Sequence, residues 1–465
     1  MLSENYSENV KIIDKILRIG ESFDVLKKTL TLPCGELTLY FVDGFAKDAV
    51  LQKLMSGFIA LKKMPTSARS FMQESIPYIE TDVTDNVQGM VQMVLSGGTL
   101  ILGTTFSREA ILLDTRTYPA RETAEPEGDR VMRGPRDGFV ETLIFNTALI
   151  RRRIRNPSLT MKYIKVGRDS VSDVVICYMA DRADAEYVKA LEKRIAAVDT
   201  DALTMGHESL KECLIKHRWY NPFPKVRTTE RPDSATAQLL EGSVLVLVDN
   251  SPQVMVLPSS IFDFMQESND FYFPPLTGTY IRVVRYIVFF LTLVLTPTWY
   301  LLLLYPQLVP EWLAFIIPRE SGALPIIVQL LLVEFIIDAL RLASLNTPNM
   351  LNNSLSVVGG LILGDFAVSI GWLIPEVILY MAFAAIANFT QRSYELGYAI
   401  KFLRILLLSL TALLGIYGYV GGFVLIIVFI ATNSTVNGKR SYLYPLIPFN
   451  AKALRTLLFR VKKDR

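Results

Sequence analysis

Glu334 and Asp338 stand four residues apart in an apolar run, with Arg341 three further on, so a helix there carries all three on one face. A charged side chain at mid-membrane costs roughly 2.5–3.5 kcal/mol on insertion scales, so these groups must face protein or water and not lipid. Asp365, beside Gly364, adds a further unpaired carboxylate. Two chemistries fit. One is a helix contact in which Arg341 neutralises a carboxylate; the other is a conducting path, because carboxylates repeated around the axis of a subunit ring attract cations.

No enzymatic constellation competes with these residues. His207 and His217 lie in a polar helical stretch with no cysteine or serine at recognisable spacing, which favours a surface role. Gly97, Gly98 and Gly103 follow a helix and lack the lysine of a phosphate loop, so a tight turn is the simpler reading. Cys34, Cys177 and Cys213 are widely separated, have no metal-ligand spacing and read as reduced, buried thiols. The sequence therefore implies no metal and no cofactor. A net charge of +3 without a long basic run in the first half argues against a nucleic-acid partner.

The elements that must hold the acidic set are membrane helices. Tyr286–Tyr305 runs about twenty residues without a charge, enough for a hydrocarbon core of about 30 Å, and Arg282 and Arg285 before it place its start in the cytoplasm. Apolar segments follow at about 323–343, 355–390 and 403–431, the middle one long enough for two passes broken near Gly371–Pro375. Five helices result. The basic tail, from Lys439 to Arg465, argues for an even number, so one segment is expected to be re-entrant. The candidates are Leu355–Ser369, interrupted by Gly359, Gly360 and Gly364, and Trp312–Ile317.

The first 275 residues read as soluble α/β structure, and no basic n-region with an apolar h-region precedes them. Strands are expected at 37–42, 99–103 and 109–114, with helices at 46–61 and 84–96. Polar residues 116–130 resemble a linker. Beyond it come a helix over Glu141–Ile154 ending in Arg151, Arg152 and Arg153, strands at 161–166 and 173–178, helices at 183–196 and 206–216, and a hairpin with arms Val244–Val248 and Val254–Leu257. The expected fold class is thus α/β plus α-helical membrane: subdomains at 1–117 and 133–275 joined by 118–132, a transmembrane domain at 276–432 and a basic cytoplasmic tail at 433–465.

Arg133-Gly134-Pro135-Arg136-Asp137-Gly138-Phe139, followed by Glu141, Asn146 and Leu149–Ile154, is long and hard to reach by chance. Val246–Pro252, Phe271-Tyr272, the Glu334, Asp338 and Arg341 set, Pro375–Met381, Ser393–Gly397 and the proline-containing tail Tyr442–Asn450 add to it. With these residues the chain resembles the A subunits of the spore germinant receptors over nearly its whole length. The resemblance implies an inner-membrane protein of the endospore with cytoplasmic N-terminal subdomains, assembled as a ring, a pentamer by family precedent, that releases monovalent cations early in germination. It makes the arginine-rich motif a subunit contact. Leu342, Asn346 and Asp365 depart from the receptor pattern and favour a branch that partners a small membrane protein and amplifies the signal.

The expected function is therefore a cation-channel subunit. A secondary transporter is the alternative from another class, since broken helices and midplane acids suit it too, but residues 281–343 and 355–431 show no internal repeat. A non-conducting scaffold is the third reading, separated from a channel by the absence of unitary currents.

Overall fold

The computed structural model describes residues 2–117, 134–215, 220–267, 269–319, 322–346, 366–433, 435, 436 and 442–460. The expected linker, Arg133, and the segment holding Gly359, Gly360, Gly364 and Asp365 lie outside the described residues. The chain divides into two units, one of residues 1–217, 226–259 and 436–438, the other of 218–225, 260–435 and 439–465.

The first unit contains one fold twice. Its first module runs α1 (Tyr6–Leu17), β1 (Val25–Leu32), β2 (Gly35–Val42), α2 (Asp48–Ile59), α3 (Ala68–Ser75), β3 (Thr81–Thr84), α4 (Val87–Leu95), β4 (Thr99–Gly103) and β5 (Ala110–Leu113). The second runs α5 (Leu143–Arg153), β6 (Leu159–Val166), β7 (Ser172–Met179), α6 (Ala185–Ala196), α7 (His207–Leu214), β8 (Arg227–Thr229), α8 (Pro232–Leu240), β9 (Val244–Val248) and β10 (Val254–Leu257). Both antiparallel sheets have the same strand order, β1-β2-β4-β5-β3 and β6-β7-β9-β10-β8. The register repeats as well: Leu37 to Tyr40 face Gly103 to Leu100, as Val174 to Cys177 face Val248 to Leu245.

Helices cover both faces of each sheet, which is why β4 and β9 are buried at every position. Leu54 and Phe58 of α2 pack on one face of the first sheet, and Leu191 and Ile195 of α6 occupy the matching places on the second. The turn from helix to central strand is copied bond for bond. Gly97 N–H donates to Val94 O (2.8 Å) and Gly98 N–H to Met93 O (2.9 Å), while Gly242 donates to Leu239 O (3.0 Å) and Ser243 to Gln238 O (3.0 Å). This closure needs a left-handed residue after the helix, and glycine supplies it both times, at φ 101° and 93°.

The second unit is helical: α9 (Pro275–Leu304), α10 (Ile326–Asn346), α11 (Pro375–Phe389), α12 (Tyr394–Ala431) and α13 (Ala451–Leu458). Among the described residues, α9 and α12 are long and apolar enough to cross a membrane. The expectation of one pass over 403–431 is corrected: α12 begins at Tyr394 and reverses at Gly415, whose φ of 59° and ψ of −134° are not helical. Its arms, 394–414 and 416–431, pack antiparallel, with a Cβ built on Gly422 only 3.7 Å from Leu407 Cα. Trp312–Ile317 holds no membrane-length element, only most of a short 3-10 stretch, Glu311–Ile316.

The hairpin gives a direct prediction. A Cβ on Gly418 would lie 1.9 Å from the Leu410 carbonyl oxygen, so Gly418→Leu must part the arms. With the native cysteines replaced by serine, L407C/G422C is expected to cross-link, and G418L to abolish the cross-link. A continuous helix would hold those positions about 22 Å apart and give no cross-link at all.

Candidate functional site

α10 lies antiparallel to the first arm of α12, and the charged residues meet there. The Arg404 guanidinium donates to both Glu334 oxygens at 2.7 Å, and Lys401 Nζ is 3.2 Å from Glu334 and also pairs with Asp338. Lys401 and Arg404, one turn apart on α12, thus face Glu334 and Asp338, one turn apart on α10. Two cations balance two carboxylates. Arg404 further donates to the Thr292 carbonyl of α9 at 3.2 Å, tying a third helix to the pair. Glu334 is 7% exposed and Arg404 and Lys401 3% each. Asp338 differs, with 34% of its side chain open.

Arg341 shares that face but neutralises neither carboxylate, contrary to the expected helix contact. Its guanidinium lies 4.7 Å from the Phe389 ring centroid and 5.5 Å from that of Tyr398, a cation over two aromatic faces. α11 runs alongside α10, fixed at its start by Gln329, which accepts from Ile374 N–H (2.9 Å) and donates to Leu324 O (2.8 Å). Pro375 opens that helix, where a missing N–H costs nothing.

A second ionic cluster sits where α9 begins. Asp270, fully buried, accepts from Arg282 Nε (3.2 Å) and from Arg285 Nη1 and Nη2 (2.9 and 3.0 Å), and Glu267 also pairs with Arg285. Arg282 and Arg285 are therefore buried and neutralised. Arg282 also donates to the Thr456 and Leu457 carbonyls (2.8 and 3.0 Å), so α13 returns to the end at which α9 starts.

In the first unit the arginine-rich motif folds back on its own module. Arg231 donates to Pro135 O (3.0 Å), Phe139 N–H to Glu230 O (2.8 Å), and the buried Asn146 amide bridges Val140 N–H and O at 2.8 and 2.6 Å. Asp249 caps α5 by accepting from Leu143 N–H at 3.1 Å. Gly138 and Phe139 are buried, whereas Gly134, Pro135, Arg136, Glu141 and Arg152 remain exposed. The arginine triplet splits, because Arg153 pairs with Asp137 while Arg151 is 1% exposed and reaches the other module. There it grips Asp24 at 2.7 and 3.0 Å, beside the Ser22 hydroxyl.

A model of the family "Bacillus/Clostridium GerA spore germination protein" matches residues 12–465. The chain belongs to the GerA family. Among its relatives, "Stage V sporulation protein AF" of Bacillus subtilis (strain 168) is 37% identical over 464 residues, covering 99% of this chain and 93% of that protein. "Spore germination protein KA" of the same organism is 27% identical, over 99% and 85% of the two chains. A crystal structure of the N-terminal domain of the A subunit of the Bacillus megaterium spore germinant receptor GerK3 aligns with 55% of this chain and 96% of its own, at 24% identity and a TM-score of 0.42.

Within this GerA-family chain, sequence reasoning missed the cations of the site. Lys401 and Arg404 stand three apart at the head of an apolar run, a spacing that mirrors Glu334 and Asp338 and was readable as such. His207 is another correction, since it is buried with Nδ1 2.6 Å from the Ser251 hydroxyl across the module core. Ser251 is itself 2% exposed and spends its hydroxyl on its own turn, reaching Gln253 O at 3.2 Å, so the pair fastens α7 to the β9–β10 turn. His207 and Lys211 together hold the neighbouring Glu208 carboxyl down to about 2. Cys177 is buried, which pushes its thiol up, while Cys34 is half-buried and Cys213 exposed, so the expectation of three buried thiols fails. Among the described residues, no group of three or more His, Cys, Asp or Glu could hold a metal ion.

Proposed function

We propose that this chain is a multi-pass subunit of a germination complex in the inner membrane of the endospore, with both α/β modules cytoplasmic. Copies assemble as a ring, a pentamer by resemblance to the receptor subunits, and the helical units conduct monovalent cations. The observation that carries the reading is the set of four ionised groups joining otherwise apolar helices, of which Asp338 stays open while Glu334, Lys401 and Arg404 are sealed. In this reading Glu334 fixes the helices, Asp338 faces the path, and Asp365 adds a second carboxylate to it. The arginine motif presents the exposed Arg136 to a neighbouring subunit.

Asp338→Asn tests this. In planar bilayers holding purified protein, unitary cation currents are expected from the unaltered chain and a several-fold smaller conductance from D338N. Equal conductance would remove Asp338 from the path. A non-conducting scaffold is the second reading, favoured by the charge balance of the same set, which needs no lumen to be stable; protein that inserts fully and passes no unitary current decides for it.

A further inference from the structure

We propose that α13 recognises an anionic phospholipid leaflet, seating headgroups at the end of the bundle where α9 starts; this rests on the reading that the helical unit spans a membrane. The inward side of α13 is fixed. Leu457 is buried, Arg282 holds the last-turn carbonyls of Thr456 and Leu457, and the Arg460 N–H donates to Thr279 Oγ1 at 3.1 Å. Because Arg282 is anchored in turn by Asp270, the helix is rigidly placed against α9. The opposite arc carries Lys452 and Arg455 at i and i+3, and Phe459 follows directly after the helix on extended backbone, all three exposed.

Large apolar groups stand open nearby: Phe449 is 70% exposed, Leu276 at the start of α9 84% and Tyr280 67%. No Asp or Glu occurs from 442 to 460, and Asp270 and Glu267 are committed to Arg282 and Arg285. Water would solvate the cations and leave the aromatics exposed, while hydrocarbon would do the reverse. The headgroup zone of an anionic leaflet meets both needs, and it lies at the depth where a spanning helix leaves the acyl region. Inorganic phosphate could pair with Lys452 and Arg455 but would leave Phe459 and Phe449 uncovered.

The test uses full-length protein in neutral detergent, titrated with phosphatidylglycerol, phosphatidylcholine or inorganic phosphate while the unfolding midpoint is followed. Phosphatidylglycerol is expected to raise the midpoint saturably and the other two to leave it unmoved. K452Q/R455Q should raise the half-saturating phosphatidylglycerol concentration about 25-fold, roughly fivefold for each cation near an anionic surface, whereas K189Q in the first unit should not change it. If the double variant starts from a lower midpoint, R455K must still prefer phosphatidylglycerol. An equal response to phosphatidylcholine or to phosphate, or an unchanged double variant, overturns the proposal. Recovery of the chain in the soluble fraction without detergent refutes the spanning reading instead, whatever the lipid titration shows.

Discussion

Arg151→Met is expected to cost the full-length protein about 3–5 kcal/mol, because it strands the Asp24 carboxylate in the core without its counter-ion. Asp24 and Arg151 are 3% and 1% exposed, 127 positions apart, and paired through two guanidinium nitrogens. The other donors do not rescue the acid. Ser22 already gives Asp24 its hydroxyl hydrogen at 2.6 Å and accepts Met161 N–H at 3.0 Å. Removing both charges with D24L/R151M should recover most of the loss, since two apolar side chains of similar volume do not need each other. Hydrogen exchange at β1 and β6 measures this, because both strands border the contact. If R151M protects those amides as the unaltered chain does, the two modules are not held together by this pair.

Glu334→Leu should be comparably severe in the helical unit. It leaves Lys401 and Arg404 facing Asp338 alone, an excess positive charge where almost no water reaches. About 3–5 kcal/mol is again the expected cost, read as loss of accumulated protein and of detergent-stable fold. E334L/R404L leaves Lys401 with Asp338 and should recover much of that loss. A coupling energy near zero in this cycle would mean that the Glu334–Arg404 contact contributes nothing. This result is read from the fold alone, whereas D338N, which also leaves Lys401 and Arg404 facing one carboxylate, is compared in conductance only for protein that keeps its detergent-stable fold.

Local patterns made the strands and hairpins of the first unit readable. Val244–Val248 and Val254–Leu257 were expected in place because β-branched runs flank a turn sequence, and the structure pairs them antiparallel. What joins distant segments was not readable. Arg151 read only as one of three arginines ending a helix, since its partner lies in another module and nothing in the triplet distinguishes it from Arg152. The repeated topology was hidden too, because matching positions keep their burial and not their residue: Tyr40 corresponds to Cys177 and Phe58 to Ile195. In the helical unit the acids were found from their cost in an apolar run. Lys401 and Arg404 were not singled out, because they stand at the edge of the apolar segment expected over 403–431 and their acidic partners lie more than sixty residues away. Gly415 was overlooked because an apolar run with several glycines carries no polar punctuation at a reversal this tight.

The twofold occurrence of one helix-to-strand turn makes the molecule its own reference standard. Gly97→Ala and Gly242→Ala impose the same backbone penalty in a single polypeptide, yet the added methyl meets Phe45 at the first site and the Arg182 carbonyl at the second. Subtracting one measured cost from the other cancels the dihedral contribution and leaves only the surroundings, a separation that single-copy folds rarely permit.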